Sequence, residues 1–397
     1  MKSEKGKRLF SLVMCCLGML FLGVLYAWSV LKVPFASEFV WSASLLSLNY
    51  TLSICMLCAG NMIAWFAARR ISRRVLLAIS GALCCTGFLI VSISRAELPV
   101  LLFVGYGLLF SSGVGIGYNT LLSIGNGLFP ERRGTSSGAM MMCFGLSAML
   151  VGRVFSRLMT AAAFGWRECY QILGILIFSV MLLCAFCLYL PTANKVAYAK
   201  AEEPGSTPFQ MLRSSKFWFF YIYGFLAASA GSAAISFSRD FIVFLGGYET
   251  TAVLAVGLIS VFNGAGRILS GLLYDAWCDR RTMTAVSLAT IMASCILFLS
   301  SIFHFWPAAM FGFLLAGMTY GSCATISSTF VIRHFGVRHF PINYSFSNSK
   351  IILSALSAPL AIVLVEKTGA YHSAFLFLLV LSFLSAVFNH LIWTKSH

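Results

Sequence analysis

Two basic residues lie deep inside apolar stretches of this chain. Arg267 sits in LAVGLISVFNGAGRILSGLLY and Lys350 in INYSFSNSKIILSALSAPLAIVL. A cation at membrane depth costs about 2.5–3.5 kcal/mol on insertion scales, and ordinarily faces a partner, a cavity or a substrate path. The 12 acidic residues all fall in loops or at the ends of apolar stretches, so none is placed to neutralise these two. The chemistry the pair could do is hold an anion. A guanidinium grips a carboxylate with two parallel bonds, and an ammonium adds a point charge. The competing reading is structural, with Arg267 capping backbone carbonyls and Lys350 snorkelling along its own stem.

Spacing places the two at similar depth. Arg267 stands thirteen residues before the polar Arg280, which is roughly 20 Å of helix at about 1.5 Å per residue. Lys350 stands eight residues past Ile342, roughly 12 Å on the same measure. Both come out on the same side of the membrane centre, close enough in depth to share one ligand. Asn263 precedes Arg267 by one turn and shares its face, where it can orient the guanidinium or bond the ligand. Tyr26, Tyr118 and Tyr320 carry hydroxyls inside apolar stretches, and each needs a polar partner there. Arg153 and Arg157, at the far end of their stretch, read as interface residues.

The elements that must position these side chains are membrane helices. The chain has 397 residues, 59% hydrophobic and 10% charged. Soluble domains average about 25% charged residues, which excludes a soluble fold. A span needs about 20 apolar residues, and twelve stretches qualify: 9–31, 43–67, 75–94, 98–122, 135–161, 167–190, 217–238, 251–275, 282–303, 307–332, 343–366 and 370–393. They lack the two-residue alternation of an outer-membrane barrel. The first has a signal peptide's basic head, but it is too long and has no small-residue cleavage site, so it is read as a span. The expectation is an all-α integral membrane protein of twelve transmembrane helices.

The net charge of +16 is topological and does not imply a nucleic-acid partner. Most basic residues gather on one side, in the clusters Lys5-Gly-Lys7-Arg8, Arg69-Arg70, Arg73-Arg74, Arg132-Arg133 and Arg280-Arg281, with Lys195, Lys200, Lys395 and others. By the positive-inside rule that side is cytoplasmic, and both termini lie there. Residues 191–216 form the longest polar stretch, with three prolines, and read as a cytoplasmic linker. The organisation expected is a first six-helix bundle over 1–190, the linker 191–216, and a second bundle over 217–397. The two halves echo each other: Arg280 and Arg281 follow Arg73 and Arg74 by 207 positions, and Tyr320 follows Tyr118 by 202.

The glycines of Gly113-Val-Gly115-Ile-Gly117, Gly134-x3-Gly138 and Gly317-x3-Gly321 lie in apolar helices with no strand beside them. They read as close helix packing rather than as a nucleotide loop. The 13 cysteines are scattered through apolar runs and read as small packing residues rather than metal ligands. No HExxH or GxxxxGK[ST] motif is present, and the GxSxG string Gly134-Thr-Ser-Ser-Gly138 has no strand before it to form a nucleophile elbow, so neither hydrolytic chemistry nor a cofactor is expected.

Several local motifs carry a resemblance. Tyr26-Ala-Trp-Ser-Val30 with Pro34, Glu38 and Trp41-Ser42, and Gly113-Val-Gly-Ile-Gly-Tyr118 leading to Phe129-Pro-Glu-Arg-Arg-Gly134, resemble signatures of the oxalate/formate antiporter-like group. That group lies within the major facilitator superfamily. Gly271-x-Leu273-x-Asp275 with Arg280-Arg281 is similar to the superfamily's cytoplasmic loop motif, here read as a gating element. The first-half copy, Gly60 with Trp65-Phe66-Ala67 and four arginines, has no aspartate. The resemblance implies two six-helix halves related by a parallel repeat, a site near the membrane midplane between them, and alternating access. It also implies that Arg267 and Lys350 hold a carboxylate in a cavity lined by Tyr26, Tyr118 and Tyr320. Ala316 stands four residues before Tyr320, where oxalate carriers have a large aromatic, so oxalate is not the substrate expected. The expectation is a monomeric secondary transporter of a mono- or dicarboxylate, working by anion exchange. A proton-coupled monocarboxylate symporter and a non-transporting anion sensor are the alternatives.

Overall fold

The computed structural model describes residues 2–160, 165–189 and 205–394. Most of the expected linker (191–204), with Lys195, Lys200 and Lys395, lies outside them. The described residues form helices joined by short turns, and contain no strand. The helices that matter here are α1 (Lys2–Leu22), α2 (Ala43–Ala67), α3 (Arg73–Ser92), α4 (Val100–Leu128), α5 (Arg133–Thr160) and α6 (Trp166–Cys187). They continue with α7 (Ser215–Phe244), α8 (Glu249–Ala276), α9 (Asp279–Phe303), α10 (Trp306–Phe335), α11 (Phe340–Thr368) and α12 (Tyr371–Thr394). Among the described residues twelve helices are long and apolar enough to cross a membrane, as the hydropathy pattern leads one to expect.

Helix boundaries differ from the apolar stretches in an informative way. The stretch 217–238 is apolar, yet α7 continues to Phe244 through Arg239 and Asp240. Charged residues mark where the bilayer stops, not where the hydrogen-bond ladder stops. Arg239 is solvated at that end and pairs with Glu249, the first residue of α8, at 2.6 Å.

The eleventh span is not the continuous helix that its composition suggests. It consists of Phe340–Asn348, Lys350–Ser354 and Ser357–Thr368, with turns at Ser349 and at Ala355–Leu356. Serine hydroxyls that bond carbonyls three or four residues back compete with the backbone ladder and bend helices. Ser345 donates to the Pro341 carbonyl at 2.7 Å, Ser349 to Phe346 at 2.8 Å, Ser354 to Ile351 at 2.9 Å and Ser357 to Ser354 at 2.6 Å. Lys350 sits in the short middle piece.

By backbone contacts the chain divides into two compact units. One comprises Met1–Pro130 with Cys143–Glu202, and the other Glu131–Met142 with Glu203–His397. The second contains both buried cations and two separate apolar cores. One is built on Phe237, Phe241, Phe313 and Phe375, the other on Phe217, Phe220, Phe330 and Phe335. On α10 a polar layer intervenes, with Thr319, Ser322 and Thr325 buried between the residues that serve the two cores. Buried hydroxyls in such a layer must be bonded within the protein. Ser322 donates to the Gly266 carbonyl at 3.1 Å and Thr325 to the Arg267 carbonyl at 3.0 Å, tying α10 to α8.

Candidate functional site

Arg267 is positioned by an unusually close approach of α8 and α10. A β-carbon on Gly266 would collide with the Met318 carbonyl, and one on Gly321 with the Asn263 carbonyl. Small residues are what allow backbones to approach like this in a membrane. Within the same unit the first turns of α5 lie on the other side, where a β-carbon on Gly138 would strike the Arg267 carbonyl. The guanidinium, 8% exposed, donates from Nε to Asn263 Oδ1 at 3.2 Å. From Nη1 it donates to the carbonyl of Met141 on α5. The shared face of Asn263 and Arg267 is therefore realised as a bond, and the guanidinium also caps a backbone carbonyl.

Lys350 is the more deeply buried, at 2% exposed. Its ammonium donates to Ser327 Oγ of α10 at 2.7 Å and to Ser347 Oγ at 3.4 Å. It lies over the Phe220 ring, 4.7 Å from the centroid, where the ring's negative face attracts a cation. Its stem crosses α7 at Gly224, where a β-carbon would stand 2.6 Å from the lysine Cε and 2.9 Å from Nζ. A side chain at 224 would make the end of the lysine move from this course.

Neither cation makes an ion pair with an acid of the described residues. Each instead has its own cage of neutral oxygens, and the two cages share no residue. Thr325, which bonds the Arg267 backbone, and Ser327, which bonds the Lys350 ammonium, are two residues apart on α10. At 3.6 residues per turn that is about 200°, so the Arg267 backbone and the Lys350 ammonium meet α10 on nearly opposite flanks. Similar depth does not by itself bring them together. Tyr320 lies one face with Ser327, two turns earlier, and packs where Gly231 leaves room on α7.

The first unit gathers the other two tyrosines. Tyr26 and Tyr118 each meet Phe144 edge-on, at centroid distances of 5.2 Å and 5.0 Å. Tyr26 falls in a tighter 3-10 stretch, Gly23–Ala27, that follows α1. A β-carbon on Gly23 would strike the Phe144 carbonyl. Arg153 and Arg157 are both exposed, as expected of interface residues.

The loop motif of the second unit divides its labour. Asp275 accepts from the Gly134 N–H at 2.9 Å, the Thr135 N–H at 2.7 Å and Thr135 Oγ1 at 2.7 Å. Those N–H groups open α5, so the carboxylate caps that helix start from another element and meets its positive dipole end. Gly271 permits the approach, since a β-carbon there would strike the Gly134 carbonyl. Arg280 and Arg281 are exposed and bond no described residue. Asp279, which carries no weight in the sequence reading, proves the more buried acid. Its carboxylate is 8% exposed, bonds His334 Nε2 at 2.8 Å and pairs with Arg333. Its signal was its place directly before Arg280-Arg281. Ser327, Ser347 and Gly224 had only the serine richness of α11 and α10 to announce them.

A model of the Major Facilitator Superfamily matches residues 11–349. The chain is 25% identical over 390 residues to the oxalate:formate antiporter of Oxalobacter formigenes, covering 96% of this chain and 90% of that one. It is 24% identical over 363 residues to monocarboxylate transporter 2 of Mesocricetus auratus, covering 84% and 72%. In fold it is similar to the proton:xylose symporter XylE, with a TM-score of 0.73 at 14% identity, covering 99% of this chain and 97% of that one.

Proposed function

We propose, for a chain that belongs to the Major Facilitator Superfamily, that it exchanges small carboxylates across the cell membrane. It is a multi-pass membrane transporter rather than an enzyme. The observation that carries the finer reading is the pair Arg267 and Lys350, buried at 8% and 2% exposure and bonded among the described residues to neutral groups, oxygens for both and the Phe220 ring for Lys350. A buried charge without a counter-ion is costly, and a carboxylate substrate supplies one. Arg267 is the anchor, since its planar fork can exchange the Met141 carbonyl for a carboxylate. Lys350 completes the site by leaving Ser327 and Ser347, which the breaks in α11 on either side of it allow. Asn263 orients the guanidinium, and Tyr26, Tyr118 and Tyr320 contribute hydroxyls to the path. Exchange fits better than proton symport because no acid of the described residues pairs with either cation to carry a proton. A carrier with both cations empty is also reluctant to reorient. The basic clusters support a cytoplasmic position for both termini.

The test is counterflow in proteoliposomes, with labelled formate, oxalate and a panel of monocarboxylates. Wild type accumulates label against an unlabelled internal carboxylate. Arg267→Gln and Lys350→Gln each lower that rate by about thirtyfold or more, as expected when one partner of a desolvated charge pair is removed. Normal counterflow in both variants overturns the site. Binding without exchange points to a sensor and overturns transport of these anions. Uptake driven by a proton gradient into vesicles with no internal anion overturns exchange.

A further inference from the structure

A second concave site lies on the second unit, away from both buried cations. Near the Asp279 end of α9, a cavity of about 290 Å³ opens between α9 and α12. Its wall from α9 is Arg280, Thr284, Ser287 and Leu288, and from α12 Ala386, Asn389, His390 and Trp393. Asn389 is held in place, donating to Thr284 Oγ1 at 3.2 Å and accepting from Trp393 Nε1 at 3.3 Å. The wall is therefore built rather than loose. Arg280 and His390 have no acidic partner among the described residues. Lys216 adds a further cation 5.3 Å from the centre of the Trp393 ring.

What surrounds the cavity is apolar and faces outward. Leu288 is 61% exposed, and Phe383, Leu384 and Val387 of α12 are exposed as well. These residues belong to spans long and apolar enough to cross a membrane. The combination is a cationic pocket at the end of a span, with an apolar wall running from it along the same helices. A free anion has use for the first part alone. A lipid uses both, since basic pockets between transmembrane helices suit phosphate headgroups while acyl chains follow the apolar flank.

We propose that the α9–α12 cavity binds the phosphate of an anionic phospholipid, with Arg280 as its charged contact, His390 as a hydrogen-bonding contact and Leu288 flanking its chains. Arg280 then has a role that Asp275 does not share, although the two stand five residues apart in one loop motif.

The experiment measures retention of short-chain phosphatidylglycerol by the purified full-length protein, using native mass spectrometry, with phosphatidylcholine as the neutral comparison. Wild type retains phosphatidylglycerol in preference to phosphatidylcholine. Arg280→Gln lowers that retention by about tenfold, the equivalent of one charge-assisted bond. Ala386→Trp, which fills the cavity without changing charge, lowers it as well. Arg213→Gln removes the same charge from an exposed position outside the cavity and leaves retention unchanged. Equal retention of the two lipids, or equal loss in Arg213→Gln and Arg280→Gln, overturns the proposal. So does displacement of the lipid by inorganic phosphate at equal concentration, which would make the pocket a free-anion site.

Discussion

Helices α2 and α4 of the first unit close on each other through Gly60 and Gly115, as α8 and α10 of the second do through Gly266 and Gly321. What each pair buries is different. The first buries amides: Asn61 and Asn119 are both almost fully covered, and the Asn119 side chain donates to the Asn61 carbonyl at 3.2 Å. The second buries a guanidinium. The Asn119 amide is satisfied by the backbone beside it, and the Asn61 side chain, buried with no hydrogen-bond partner among the described residues, leaves only a neutral group desolvated, at less cost than a charge. A guanidinium satisfied by one amide oxygen and one carbonyl remains an uncompensated charge in a medium that penalises charge. The same packing device thus serves a structural contact in one unit and a candidate binding group in the other. A repeat in the backbone need not be a repeat in chemistry.

The sharpest way to break this contrast is to remove charge from the second unit while keeping volume. Lys350→Met is expected to abolish counterflow. It should also raise Tm, because replacing a buried ion by an apolar group of similar volume is neutral or stabilising by about 1–4 kcal/mol. Asn61→Leu in the first unit should leave counterflow near wild type. If Lys350→Met lowers Tm sharply, the ammonium is structural and the contrast collapses. Next in size are the glycines. Gly115→Leu and Gly321→Leu each force a side chain into a backbone carbonyl, and overpacking of that kind costs about 1–3 kcal/mol or more. Thermal unfolding in detergent should show comparable losses for the two; a loss in one alone would mean that the packing is not shared. The smallest effect concerns the helix ends. Asp279→Asn loses its pairing with Arg333 and His334 and should lower stability by about 1–3 kcal/mol. Arg74→Gln, in the acid-free first-half motif, should stay within about 0.5 kcal/mol of wild type.

The twelve spans were legible because hydropathy alone decides what enters a bilayer. Arg267 and Lys350 stood out for the same reason, and Asn263 followed from helical spacing. The breaks in α11 were not legible, although their cause is written in its serines. Whether a hydroxyl bonds its own helix or a neighbour depends on packing that composition does not encode. The separate partners of the two cations were hidden for a related reason. Residue counting along a span measures depth but not azimuth, and azimuth depends on how α8, α10 and α11 are rotated against one another. Asp279 escaped notice because its partners come from the end of α10, 54 and 55 positions later, where no local spacing points.

The bare passage at Gly224 has a consequence for how such chains can diverge. A lysine at 350 keeps its present course across α7 only while position 224 carries no side chain. A methyl group at 224 makes the end of the lysine shift, and a larger side chain competes with it for the passage, whereas losing the lysine frees 224 to become anything small. The two positions lie 126 residues apart, yet substitution at one alters what is permitted at the other. Among homologous sequences they should therefore covary, with glycine at 224 wherever lysine holds 350.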